Sequence, residues 1–202
     1  MASKGKSDIM NVAGLLMNIV IGIVKAVYAK GGTDEDIRRL AGEEGRALLD
    51  EIAKLIVSAS RQSFEVLVDC TKSLVEMIQA GSYGYVDSNI NDKNFKVEGQ
   101  GQQEVEVVLF HFKRAISTDD ALQEMEKAGY RPARIEELLA LGAAYPELQR
   151  QFPIVALGSL WQDPRGDRRV AYLNQDGAGR SLDLPWFESD WRECYRFVAV
   201  RK

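Results

Sequence analysis

The chain has almost none of the residues from which catalytic and redox sites are usually built. It holds one histidine, His111, and two cysteines, Cys70 and Cys194, which stand far apart. That excludes a disulfide scaffold and any C-x-x-C metal or redox motif. It also leaves no second imidazole for a histidine-based zinc site or proton relay. Both thiols are expected to be buried and free. A phosphate-binding loop, a nucleophile elbow and a Rossmann fingerprint are all missing. Net positive charge is missing too: at −4 the molecule has no overall attraction for nucleic acid or anionic membrane. Tryptophan is scarce and confined, with Trp161, Trp186 and Trp191 all inside one C-terminal stretch.

What is present is the composition of a globular protein, 46% apolar and 28% charged over 202 residues. That length carries one large domain or two small ones. The N-terminal run IMNVAGLLMNIVIGIVKAVYA has the look of a signal peptide or span, but its polar and small positions argue otherwise. Asn11, Gly14, Asn18, Gly22 and Lys25 recur at helical spacing and form a narrow stripe on an otherwise apolar rod. Such a helix needs cover on several sides, from a bundle, sister subunits or lipid, and the stripe with Lys25 spoils a span. Ser7 or Asp8 is its expected N-cap.

Residues 1–81 are expected to be a helical packing or oligomerisation region of three helices. The first runs from about 7 to 29 and stops at Gly31–Gly32. The second carries Ile37, Leu40, Leu48, Leu49, Ile52, Leu55 and Ile56, interrupted around Gly42–Gly45. The third carries Phe64, Leu67, Val68, Leu74, Val75 and Ile78 and ends at Gly81. Residues 82–103 are rich in Asn, Asp, Gly, Ser and Gln and are expected to be an ordered connector anchored by Tyr83, Tyr85, Val86 and Phe95. EVEVVLFHF at 104–112 is β-branched and aromatic, hence a strand, with His111 inside it. A helix capped by Ser117 and stopped by Gly129 follows, then a second helix broken near Gly142 and Pro146. Short strands IVALGSLW, RRVAYLN, RSLDL and YRFVAV complete the chain, separated by QDPRGD and QDGAG turns. The fold class is therefore α+β, a helical N-terminal part followed by a domain with a mixed or antiparallel sheet and two helices.

The order and spacing of GYRPARIEELLAL, FPIVALGSLW, VAYLNQDG and the terminal YRFVAVR resemble the C-type lectin fold. More narrowly they resemble the bacterial branch that includes the formylglycine-generating-enzyme-like domains. The corresponding segments are Gly129–Tyr130–Arg131, Gly158–Trp161, Tyr172–Gly177 and Tyr195–Arg201, covering residues 104–202 and not the helical half. The chain departs from the branch in two places: Pro132 follows Arg131 directly, and Leu160 separates Ser159 from Trp161. Within that fold the last segment is similar to the variable proteins of diversity-generating retroelements. The resemblance implies a fixed scaffold that displays assorted surface residues near the C-terminus.

The residue chemistry points to binding independently of the family. From Trp161 to Phe197 lie seven of the seventeen aromatics, and residues 161–202 hold seven arginines but a single lysine. Trp, Tyr and Arg dominate binding hot spots because they bury large areas and keep polar handles. The expected ligand-contacting residues are Trp161, Gln162, Asp163, Arg165, Asp167, Arg168, Tyr172, Asn174, Asp176, Arg180, Trp186, Phe187, Glu188, Asp190, Trp191 and Glu193. Trp161 is expected to be at least half core. Replacing Trp186 or Trp191 with alanine is expected to abolish binding while the fold persists. Asp183, Glu188, Asp190 and Glu193 can supply some calcium ligands, but the sequence patterns of calcium-dependent sugar-binding lectins are absent. A carboxylate-pair hydrolase using Asp163 and Asp183 has nothing in the sequence to place the two together. Seven acidic residues share 161–202 with eight basic ones, so no positive stripe for nucleic acid follows.

The expectation is thus a non-enzymatic, cytoplasmic display protein without metal or cofactor. It would bind an unknown protein or cell-surface ligand and form a homo-oligomer through its N-terminal helices. The rival readings are an enzyme of unrecognised class on the same fold and an assembly protein that works through those helices.

Overall fold

The computed structural model describes residues 4–43, 45–59, 61–177 and 179–202, with side chains described at all of these except 4–13, 16, 41, 54 and 57–59. The chain divides into two compact units, residues 1–59 and 60–202. The described residues form seven helices and a large mixed sheet.

The first unit is helical: α1 (Lys4–Ala29), α2 (Asp34–Ala41) and α3 (Gly45–Ala59). Because α1 starts at Lys4, Ser7 and Asp8 fall inside it and do not precede it as caps; their side chains and that of Asn11 lie outside the described residues. Thr33 caps α2 through a capping box with Asp36, whose carboxylate accepts from the Thr33 backbone N–H at 2.8 Å and hydroxyl at 2.9 Å. Large apolar side chains stay exposed on α1 (Leu15, Met17, Ile19, Val20, Ile21) and on α3 (Leu48, Leu49, Leu55, Ile56).

The second unit begins well before residue 82. Residues expected as the first part of a third helix form a strand, β1 (Gln62–Asp69), and only Leu74–Gly81 is helical, as α4. Phe64, Val66 and Val68 pack into the core at the period of two that a half-buried strand shows, and β1 pairs along its whole length with β3 (Gln102–Phe110). That pairing, 33 residues or more apart in sequence, overrides the local helical reading and moves the boundary to residue 60. The expected connector is likewise part of the fold. Phe95 and Ile90 are buried, and β2 (Tyr85–Val86) pairs with a later strand, leaving Tyr85 exposed where an anchor was expected.

The remaining elements are β4 (Ile116–Ser117), α5 (Thr118–Lys127), β5 (Tyr130–Pro132), α6 (Ile135–Ala144), α7 (Leu148–Gln151), β6 (Ile154–Gln162), β7 (Arg168–Asp176), β8 (Gly179–Asp183), β9 (Asp190–Trp191) and β10 (Arg196–Arg201). Ser117 caps α5 as expected, accepting from the Asp120 N–H at 3.2 Å. The sheet order is β1-β3-β10-β6-β7-β8-β2, with β5 also on β10. All ladders are antiparallel except β10–β6 and β2–β8.

Alternate residues of the strands feed two cores. Val107, Leu109, Val198, Ile154, Ala156 and Leu173 pack with α4 and α6 on one face. Val108, Phe110, Phe197, Val155 and Val170 pack on the other, with Ala121 and Met125 of α5 and with Phe187 and Trp191. Helix α6 is not broken at Gly142. A Cβ there would stand 2.2 Å from Tyr83 Oη and 2.9 Å from Leu173 Cδ1, so the missing side chain lets the ring and the sheet close onto the helix.

Candidate functional site

The C-terminal residues expected to touch a ligand separate into three groups once strand register places them. The first is structural. Arg180 on β8 is buried, and its guanidinium donates to the carbonyls of Gly81 and Gly142 and to Gln149 Oε1 at 3.1 Å, while stacking 4.9 Å from the Tyr83 ring centroid. It neutralises the C-terminal ends of α4 and α6, where helix dipoles are negative, and is not available to a ligand. Trp191 is 2% exposed; its Nε1 donates to Thr118 Oγ1 at 2.8 Å and its ring meets Tyr195 and Phe197 edge-on. Phe187 is buried under Arg168. These three were expected on the displayed surface and belong to the interior. The indole and the phenyl ring bury large apolar areas by packing inward, and the guanidinium is held inside by the three acceptors it satisfies.

The second group lies at the β6–β7 turn. Trp161 on β6 stands opposite Arg169 on β7, and Trp186 stands opposite Arg169 through an isolated bridge, so the three share a face. Trp161 is half-buried on the core, whereas Trp186 is 56% exposed beneath the Arg169 guanidinium, 5.2 Å from its ring centroid. Arg169 also reaches Asp163 at 3.6 Å and Asp167 at 3.8 Å. Asp163 shapes the turn by accepting from the N–H groups of Arg165 at 2.9 Å and Asp167 at 3.1 Å. Burial by itself raises this carboxyl, but those N–H groups and the Arg169 charge outweigh it and hold Asp163 below the usual carboxylate range. Gln162 donates to the Gly166 carbonyl at 3.0 Å, and exposed Arg165 sits at the tip. On the opposite face of β7, Arg168 pairs with Glu188 beside a cleft of about 180 Å³ that also includes Ser117, Thr118 and Asp190.

The third group is an open stretch of sheet on that same face as Arg168. Tyr172 stands opposite Asp183, and Asn174 stands opposite Ser181, which in turn faces Tyr85 on β2. The Asn174 amide donates to Tyr172 Oη at 3.3 Å. Burial, then the nearby Asp183 and Tyr195, push the Tyr172 hydroxyl upward; Asp183, then Asp87, do the same to Tyr85. An asparagine and an aspartate, with the three tyrosines Tyr85, Tyr172 and Tyr195 beside them, thus form a hydroxyl-rich, acidic patch. Asp176 continues it, exposed at the end of β7.

Tyr85, Asp183, Tyr195 and Arg169 were not among the expected contacts. Asp183 was within reach of sequence reasoning, because a tight turn after Asp176 puts it opposite Tyr172. Tyr85 was not, since it joins through a parallel β2–β8 pairing across roughly a hundred residues. Asp163 and Asp183 lie on opposite faces of β7, the first held by Arg169 and the second opposite Tyr172. Among the described residues no cluster of three or more His, Cys, Asp or Glu has metal-holding geometry. His111 sits past the end of β3 and is exposed, its Nε2 lying 3.0 Å from the Glu193 carbonyl; Glu193 is exposed as well. Cys194 is exposed and Cys70 half-buried, so neither thiol is the buried one expected. No described helix is long and apolar enough to cross a membrane.

No protein-family model, curated protein or solved structure matches the chain.

Proposed function

We propose that the chain is a non-enzymatic binding protein whose second unit is C-type-lectin-like, in the manner of the variable proteins of diversity-generating retroelements. What supports the lectin-like reading is that β3 and β10, the first and last strands of residues 102–201, lie side by side and antiparallel. Helices α5 and α6 and the single turn α7 intervene before the β6–β7–β8 meander. The Gly129–Tyr130–Arg131 segment is held as β5 on β10, and Arg131 forks onto Glu137 at 2.6 and 2.9 Å.

The observation that carries the binding proposal is the Tyr85–Tyr172–Asn174–Asp183–Tyr195 patch on a packed strand framework. Tyrosine gives large contact area at low entropy cost, asparagine and aspartate add adaptable hydrogen bonds, and a preformed frame has little left to lose on binding. Asp87, Asp176 and Asp183 make it acidic, so the fitting ligand is a protein or cell-surface group rich in hydrogen-bond donors or positive charge. Arg168 and Arg169 are already paired with acids, which leaves the tyrosines as the primary contacts.

The test uses the tagged full chain as bait against extracts and intact cells. The Tyr85→Ala/Tyr172→Phe variant, which keeps the ring of Tyr172 packed on the core, is expected to lose at least roughly tenfold in affinity for the captured ligand, with a melting temperature close to that of the parent. Equal capture by variant and parent overturns the assignment of this face. Sequencing of sister genomes tests the diversified character separately. Variation is expected at the codons for Tyr172, Asn174 and Asp176, against constant codons for Val170, Ala171 and Leu173.

For the first unit we propose self-association. Leu15, Met17, Ile19, Val20 and Ile21 are exposed within a single stretch of α1, more apolar surface than a solitary helix leaves to water. Light scattering on the full chain is expected to give a multiple of 22.6 kDa, and the Leu15→Glu/Ile19→Glu variant the monomer mass. A monomeric parent chain ends this part of the proposal.

A further inference from the structure

A second cavity, of about 300 Å³, opens where β1, α4 and α6 meet. Its walls are Leu67, Met77, Leu139 and a run of alanines (Ala80, Ala140, Ala143 and Ala144), with Asp69 and Lys72 among its lining residues. Short side chains at the alanine positions leave the groove unfilled. Into this apolar lining the first turn of α6 brings Glu136, 3% exposed.

Its neighbour Glu137 is fully engaged, accepting from both Arg131 Nη atoms and from the Arg134 N–H at 2.8 Å. Glu136 is not. Its carboxyl is approached by the backbone N–H groups of Glu98 and of Glu136 itself, and Oε2 is left buried with no hydrogen-bond partner. The cations nearby are committed elsewhere. Arg131 is on Glu137, Arg134 is on Glu98 at 3.2 Å and on its carbonyl at 2.9 Å, and Lys72 is on Asp69 at 3.8 Å. A buried carboxylate oxygen without a partner is costly, and burial accordingly pushes the Glu136 carboxyl upward, helped by the Glu137 charge.

We infer that this cleft is a binding site for a small organic cation, an ammonium or amidinium group on a short apolar stem, with the Glu136 carboxyl as the partner of the charge once a small shift of its side chain uncovers Oε2. The alanine, leucine and methionine walls take the stem. The cationic group supplies the donor that Oε2 lacks and allows Glu136 to ionise inside the protein. Asp69 and Lys72, both in the lining, are paired with each other, so Glu136 is the acid left for the charge of a ligand. The volume stands at the low end of small-molecule pockets, which limits the stem to roughly four to eight carbons. This site is separate from the tyrosine patch and does not rest on the function proposed for it.

The test is titration of the full chain with n-hexylammonium and, in parallel, with n-hexanol, which keeps the stem and removes the charge. Hexylammonium is expected to shift the methyl resonances of Met77 and Leu139 and to bind about ten- to hundredfold more tightly than hexanol. In Glu136→Gln, which keeps an acceptor for the Glu98 N–H and hence the fold, the preference for the amine is expected to vanish. In Ala143→Leu, which fills the groove, both ligands are expected to lose affinity while the melting curve stays cooperative. Equal affinity for amine and alcohol, an amine preference that survives Glu136→Gln, or no shift at Met77 and Leu139 with either ligand overturns the site.

Discussion

Arg180→Ala is expected to lower the stability of the second unit by about 3–5 kcal/mol, because two or three buried acceptors each lose their donor at about 1–3 kcal/mol. The acceptors are the carbonyls of Gly81 and Gly142 and the side chain of Gln149. The first two stand at or near the C-terminal ends of α4 and α6, where carbonyls have no intrahelical donor and carry the negative end of the helix dipole. The same guanidinium covers the face of Tyr83, whose hydroxyl is buried without a partner and is pushed well above its ordinary range by burial. Removing it therefore uncouples β8 from two helices at once. Chemical denaturation of the full chain checks this, monitored by a signal from the second unit. Arg180→Lys is expected to recover only part of the loss, since a single ammonium cannot reach three diverging acceptors in the fork geometry of arginine. An alanine variant within about 0.5 kcal/mol of the parent, the range of ordinary surface substitutions, would show that the acceptors find water instead.

Trp191→Ala and Trp186→Ala are expected to behave oppositely although five residues separate them. Trp191 is packed in the core beneath α5, so truncation leaves a cavity, removes the donor to the Thr118 hydroxyl and costs about 3–5 kcal/mol. Thr118 also donates to the Phe187 carbonyl, which ties the 185–191 segment to α5, and that link is expected to loosen with it. Trp186→Ala, at 56% exposure and on the face opposite the tyrosines, is expected to stay within about 0.5 kcal/mol of the parent and to leave ligand binding unchanged. Thermal melts of the two variants separate these outcomes. A Trp191→Ala protein as stable as the parent would mean that the indole is not the core element its burial implies.

Period and punctuation were legible wherever neighbouring residues carry them. The β-branched and aromatic residues of 104–110, the Ser117 cap with its Gly129 stop, and the turns after Gln162 and Asp176 all stand where their chemistry puts them. Phe64–Val68 was misread because a run with Leu67 and Val68 adjacent satisfies both helical and strand spacing over so few residues. Only the ladder to β3 decides between them, and its partner residues lie across the connector.

The candidate site divides the same way. Composition by itself identified residues 161–193 as a segment rich in aromatic and arginine side chains, and that enrichment is real. Which of them hold the fold and which face outward was decided by pairing and packing: Arg180 by two helix ends, Trp191 by α5, Trp186 by the absence of anything above it beyond Arg169. A tryptophan or an arginine serves a core or a surface with the same covalent chemistry. Local structure is therefore written in adjacent residues, whereas exposure and the company of Tyr85 with Asp183 are properties of contacts between distant ones, which exist only once the sheet has closed.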